Sequence, residues 1–171
     1  MERIESFLRT INRAAGAAAG WLCLLLVLAT VGDVFMRYLF HSGSVAVQEL
    51  EWHLFALVFL FGAGYCYDSD SHVRVDIFYS KLNDRRKALV NLAGDIFFLI
   101  PFCDLVITKS VPFVLRSWEI LEGSPDPGGL PLRFLIKAAI PLGFTFLYLS
   151  ALRSTLSNII LLKKTSGAGD D

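Results

Sequence analysis

The sequence predicts an all-α integral membrane protein with four transmembrane helices and short amphipathic interfacial segments. Three observations carry this. Of 171 residues, 54% are hydrophobic and 19% charged, with a mean hydropathy of +0.55, which is too apolar for a soluble domain of this size. Uncharged runs recur at close to the roughly 20 residues that a bilayer core requires. Charged or Pro/Gly-rich segments separate them and mark the turns. The 16 basic and 16 acidic residues cancel, so no polyanion such as nucleic acid is indicated as a partner. The apolar surface itself calls for membrane lipids.

Helix one is expected over about 14–40, where Arg3, Arg9 and Arg13 precede an uncharged run over 14–32. A cleavable signal peptide also begins this way, but the run is long for one and Ala29-Thr30-Val31 is not a small-x-small cleavage pattern. The segment therefore reads as a signal anchor. Gly16 and Gly20 lie one turn apart and permit close helix approach, read as general small-residue packing. Asp33 and Arg37 share a face at i and i+4 and can pair.

The short connection over 41–44 allows only a helical hairpin, so helix two, about 46–67, returns antiparallel with Glu49 and Glu51 at the level of Arg37. Carboxylates at i and i+2 project in different directions and form no acid/base pair. Glu49 and His53 share a face, yet a metal site there would need ligands from other helices; interfacial polar packing is the preferred reading. Charges at membrane depth need partners. That favours an ion pair from Arg37 to Glu49 or Glu51, without deciding between them.

The turn over 68–87 is charged and expected at the membrane surface. Within it Asp76 can cap a short amphipathic helix with Ile77, Phe78, Tyr79 and Leu82 on one side, lying on lipid or on a soluble partner. Helix three is expected over about 88–108. Its Asp95 and Asp104 fall on opposite faces and cannot act as a dyad. Asp95 lies near mid-membrane by count, which makes it either a functional group or a neutral, hydrogen-bonded acid packed against a neighbouring helix. Pro101 predicts a local bend.

An external loop is expected over 109–133, with an interfacial helix in its first half and a stiff turn over 123–131 that holds three prolines and three glycines. Helix four follows over about 134–160, with Lys137 in its first turn able to snorkel to the interface, and a tail over 163–171. Eleven of the 16 Lys and Arg residues lie on the side of the termini and the 68–87 turn. The positive-inside rule then places both termini in the cytoplasm.

Cys23, Cys66 and Cys103 each sit in an apolar run, where free cysteine behaves as a small hydrophobe. The three histidines have no metal-ligand spacing, and no HExxH, CxxC or Gly-rich phosphate loop occurs. No catalytic residue, cofactor or metal site is assigned, and the chain is not read as an enzyme.

Four stretches in this order resemble a known family: Asp33-Val34-Phe35-Met36-Arg37-Tyr38, then Glu49-Leu50-Glu51, Phe61-Gly62-Ala63-Gly64-Tyr65, and His72-Val73-Arg74-Val75-Asp76. Together they look like the small membrane subunit of tripartite ATP-independent periplasmic (TRAP) transporters, over roughly residues 10–160. The most specific part is the 72–76 stretch. The resemblance implies a bacterial inner-membrane complex in which a periplasmic substrate-binding protein delivers an organic acid to a large membrane subunit, and that subunit carries substrate with sodium. The small subunit would brace the large one and help dock the binding protein. On this reading Arg37, Glu49, Glu51, His72, Arg74, Asp76, Asp95 and Lys137 are structural or subunit-interface candidates. Ser124, Pro125, Asp126, Pro127 and Pro131 would lie near the docked binding protein. The chain is expected as a separate polypeptide, because it ends in Lys163, Lys164 and a short tail where fused members continue.

Two other classes stay open from the residues alone. A haem-carrying membrane anchor needs histidines facing one another at matched depth, and His53 has no such partner. A small autonomous ion-coupled transporter needs broken helices, repeats and several ionisable groups at the midplane, with Asp95 as its candidate ion site.

Overall fold

The computed structural model describes residues 2–69 and 79–167, with side chains from 9 to 69 and from 79 to 163. The chain is all-helical: α1 (Glu2–Phe40), α2 (Val45–Asp68), α3 (Asp84–Gly94), a π-helical turn (Asp95–Leu99), α4 (Ile100–Glu119) and α5 (Phe134–Gly167). Four stretches are long and apolar enough to cross a membrane, among the described residues: Arg9–Phe40, Val45–Asp68, Asp84–Glu119 and Phe134–Lys163. The third span is α3, the π turn and α4 read through.

Local chemistry accounts for the ends. His41 adopts a left-handed backbone (φ 51°), which closes the tight hairpin between α1 and α2. Ser69 ends α2 by turning its hydroxyl back to the Tyr65 carbonyl at 2.8 Å. Asn83 caps α3 by accepting from the Arg86 amide at 3.0 Å, with Asp84 in the first turn where the helix dipole favours a negative charge. α4 ends in paired back-bonds, Leu121 N–H to Trp118 O and Glu122 N–H to Ser117 O, both 3.0 Å. This is the Schellman arrangement with Leu121 (φ 44°) in the left-handed position that glycine usually fills.

The helices pack side by side in the order first, second, fourth, third span, so α1 and the third span form the two edges. Close approach is set by glycine. A Cβ on Gly143 would lie 2.6 Å from the Leu60 Cβ, and one on Gly64 would lie 3.0 Å from the Phe146 backbone. α2 and α5 therefore meet nearly backbone to backbone. Gly16 packs against the Tyr65 ring, while Gly20 faces open space; only the first of the two does what their spacing suggested.

The structure corrects the third helix. It was expected to stop near 108 before an external loop from 109, but it continues to Glu119. Pro112 does not break it, and Cys103, Ser110 and Ser117, at heptad spacing, bury one face against α5. The irregularity expected at Pro101 takes the form of the π turn just before it, in which the Ile100 N–H reaches the Asp95 carbonyl. A proline cannot accept the ordinary α register of the preceding turn, and one wider turn relieves the clash.

The longer helix also moves Asp95. The Tyr67 hydroxyl donates to the Asp95 carboxylate, which sets Asp95 level with the end of α2 rather than at mid-span. The ring pair Phe102–Phe144, 5.7 Å between centroids, and the contact of Gly143 with Leu60 set the depth of α4. They bring Asp104, two residues beyond Phe102, level with the middle of α2.

Candidate functional site

Glu49 is the organising side chain of the end that carries the 120–133 loop. It is 5% exposed, although it lies only one turn into α2. Its Oε1 accepts from the Ser124 hydroxyl at 2.5 Å, and its Oε2 accepts from the Leu130 backbone N–H at 2.6 Å. Arg133 stands 3.7 Å from Oε1 and lies over the Trp52 ring at 5.8 Å. One carboxylate on α2 thus holds both arms of a loop that joins α4 to α5.

The loop is built to reach it. Asp126-Pro127-Gly128-Gly129 forms a type II β-turn: proline at the second position, Gly128 at φ 81° in the third, and Gly129 N–H to Asp126 O at 3.0 Å. Ser124 N–H to Leu130 O (3.0 Å) and Arg133 N–H to Glu122 O (2.7 Å) close the base. Gly129 has no room for a side chain, since a Cβ would meet Ser124 and come within 2.7 Å of Glu49 Oε2. Ser124 is turned inward, whereas Pro125, Asp126, Pro127 and Pro131 are exposed.

Lys137 pairs with Glu122 and lies over the Phe113 ring at 4.1 Å, so it anchors the loop rather than simply snorkelling. The Lys137 ammonium holds the Glu122 carboxyl below its usual value of 4.5. A depressed carboxylate stabilises the fold fully above its unfolded value and loses that contribution as pH falls through the lowered one. Loop protection in hydrogen exchange is therefore expected to fall on acidification past 4.5, and Glu122→Gln should flatten that fall. An unchanged acid profile in the variant contradicts the pair.

The expected ion pair from Arg37 to Glu49 or Glu51 does not form. Arg37 bonds to Asp33 on its own helix, the alternative that their spacing also allowed, and Glu49 is taken by the loop. Glu51 buries its Oε1 without a hydrogen-bond partner among the described residues. A local pair wins because one turn of helix already holds both groups together, whereas a pair across helices needs matching azimuth as well as depth. His53 bonds through Nδ1 to the Glu49 backbone carbonyl and stacks on Trp52 at 3.9 Å.

A second polar network ties the helices together at the end that carries the termini. Asn12 of α1 donates to Asp68 of α2 (2.9 Å) and to Ser150 of α5 (2.7 Å). Ser150 donates in turn to the Gly64 carbonyl at 3.0 Å, and Arg153 approaches Asp68 at 3.4 Å. Beside this group the Tyr67 hydroxyl donates to Asp95 and reaches Ser154 of α5 at 3.5 Å. Sequence reading singled out Asp95 but missed Asn12, Tyr67, Asp68, Ser150 and Arg153. Their only signal was polarity at those ends of the apolar runs that lie toward the termini. His72, Arg74, Asp76, Ile77 and Phe78 lie outside the described residues; of the short helix expected after Asp76, Tyr79 donates its hydroxyl to Asn91 at 3.1 Å and the Leu82 N–H reaches the Tyr79 carbonyl at 3.1 Å.

Chemically, both clusters are fasteners. Each carboxylate in them faces hydrogen-bond donors, except that Asp95 Oδ2 is buried with no partner among the described residues. Among the described residues no group of three or more His, Cys, Asp or Glu side chains is placed to hold a metal ion. A family model described as "Tripartite ATP-independent periplasmic transporters, DctQ component" matches residues 26–160. The chain belongs to this family. It is similar to a protein of Haemophilus influenzae described as a TRAP transporter small permease, at 27% identity over 128 residues, covering 74% of this chain and 79% of that protein. The small permease subunit is thus a multi-pass membrane component of a transporter rather than an enzyme. Its tripartite family implies a large membrane subunit, DctM, and a periplasmic binding partner.

Proposed function

We propose that this subunit braces the large membrane subunit, widens its footprint in the bilayer, and presents the 120–133 loop as part of the face on which the periplasmic binding protein docks. The observation that carries the reading is the Glu49 clamp. A buried carboxylate commits both of its oxygens to ordering one exposed loop, and a preorganised loop docks a partner at lower entropic cost than a mobile one. The excess of basic residues at the opposite end supports cytoplasmic termini and a periplasmic loop. Substrate and sodium pass through the large subunit on this reading, with an organic acid as cargo. Asp95, locked by Tyr67 at the cytoplasmic end, serves as a fastener rather than an ion site.

The test is co-expression of the tagged chain with its large subunit. A stable complex in mild detergent is expected, with no substrate flux when the small subunit is reconstituted alone. Flux from the small subunit alone, or no recovery of the large one, overturns it.

A further inference from the structure

Among the described residues, Asp104 is the one carboxylate that the fold sets at mid-span and turns outward. Cys103, Ser110 and Ser117 bury the opposite side of α4. At about 100° per residue, Pro101, Asp104, Thr108, Val111 and Leu115 share a strip roughly 80° wide, and all five are exposed. Thr108 satisfies its hydroxyl on the Asp104 and Leu105 carbonyls, at 2.8 and 3.1 Å. The Asp104 carboxylate has no partner among the described residues. The basic groups nearest the interior are engaged elsewhere: Arg37 with Asp33, Arg133 with Glu49, Lys137 with Glu122 and Arg153 with Asp68. Lys109 points about 140° away on the same helix.

Depth makes this costly. Asp104 stands level with Val58, about 15 Å from the nearer end of α2 at ~1.5 Å per residue, where a charge facing lipid is strongly disfavoured. A second copy of this chain meeting it across a twofold axis would bring two carboxylates together.

We propose that Asp104 pairs with a basic side chain of the large membrane subunit, and that this strip of α4 is the interface between the two. The pairing rests on the bracing role above and names the face that performs it. α4 suits it as an edge of the helix row, free on the side away from α5.

A photo-crosslinking residue placed at 108, one turn along the same exposed strip with Asp104 left intact, in membranes containing both subunits, is expected to give an adduct with the large subunit. Adducts with lipid alone, or with a second copy of this chain, overturn the proposal. Recovery of the large subunit should fall about tenfold or more in Asp104→Lys and be retained in Asp104→Glu, as a desolvated charge pair requires. Equal recovery in both also overturns it. Wild-type recovery separates the two readings. If the wild-type chain does not recover the large subunit, the bracing role fails; if it does while position 108 gives no adduct, only the interface fails.

Discussion

Glu49→Ala is expected to release the 120–133 loop without unfolding the helices. The substitution leaves the Ser124 hydroxyl and the Leu130 N–H, now 2.5 and 2.6 Å from their acceptor, with none, and removes the charge facing Arg133. Hydrogen bonds to a charged acceptor are the strong ones; each lost bond lowers the ordered population by roughly tenfold or more. Amide exchange over 124–130 should accelerate by at least that factor, while amides in α2 and α5 stay protected. Gly129→Ala should do the same by a different route, because its methyl group collides with Ser124 and crowds the Glu49 carboxylate. A loop equally protected in both variants would mean that the clamp does not order it.

Gly143→Val is expected to be the most destabilising single change in the helix row. Its Cβ would lie 2.6 Å from the Leu60 Cβ and 2.9 Å from the Leu60 carbonyl oxygen. The second neighbour is backbone inside a helix and cannot swing aside, so α2 and α5 must separate. Overpacking of this kind costs about 1–3 kcal/mol, and more where backbone is the obstacle. Melting of the detergent-solubilised chain should drop accordingly. Gly20→Ala is the contrast: nothing lies within 4 Å of its Cβ position, and alanine favours a helix by roughly 0.5–1 kcal/mol. Similar melting of the two variants would show that glycine does not set the approach of α2 to α5.

The spans were legible in the sequence because a bilayer imposes length and apolarity on each segment independently. Azimuth was not. Depth matching brought Arg37 level with Glu49 and Glu51 but could not say that Arg37 faces its own helix or that Glu49 faces a loop 75 residues away in sequence. The Pro/Gly content around Ser124 and Pro131 announced a stiff turn, yet which carboxylate it would fold onto is a tertiary fact. Asp95 was misplaced because Lys109, Arg116 and Glu119 made the part of the third span nearer the 120–133 loop read as loop. Heptad-spaced Cys103, Ser110 and Ser117 hold that part in the helix row regardless of its polar side, and shortening the helix by count moved its centre onto the wrong aspartate. Asn12 and Ser150 carry no charge and sit in ordinary helical sequence, so their meeting with Asp68 could be seen only after the helices were packed.

The central claim is that the Glu49 clamp serves docking while the helix faces serve assembly, and one preparation separates the two. The complex of Glu49→Ala small subunit with the large subunit would be purified and titrated with the binding protein. Full recovery of the large subunit is expected, with a binding-protein affinity lowered by about tenfold or more. Unchanged affinity with the loop released, or loss of the large subunit itself, would contradict it.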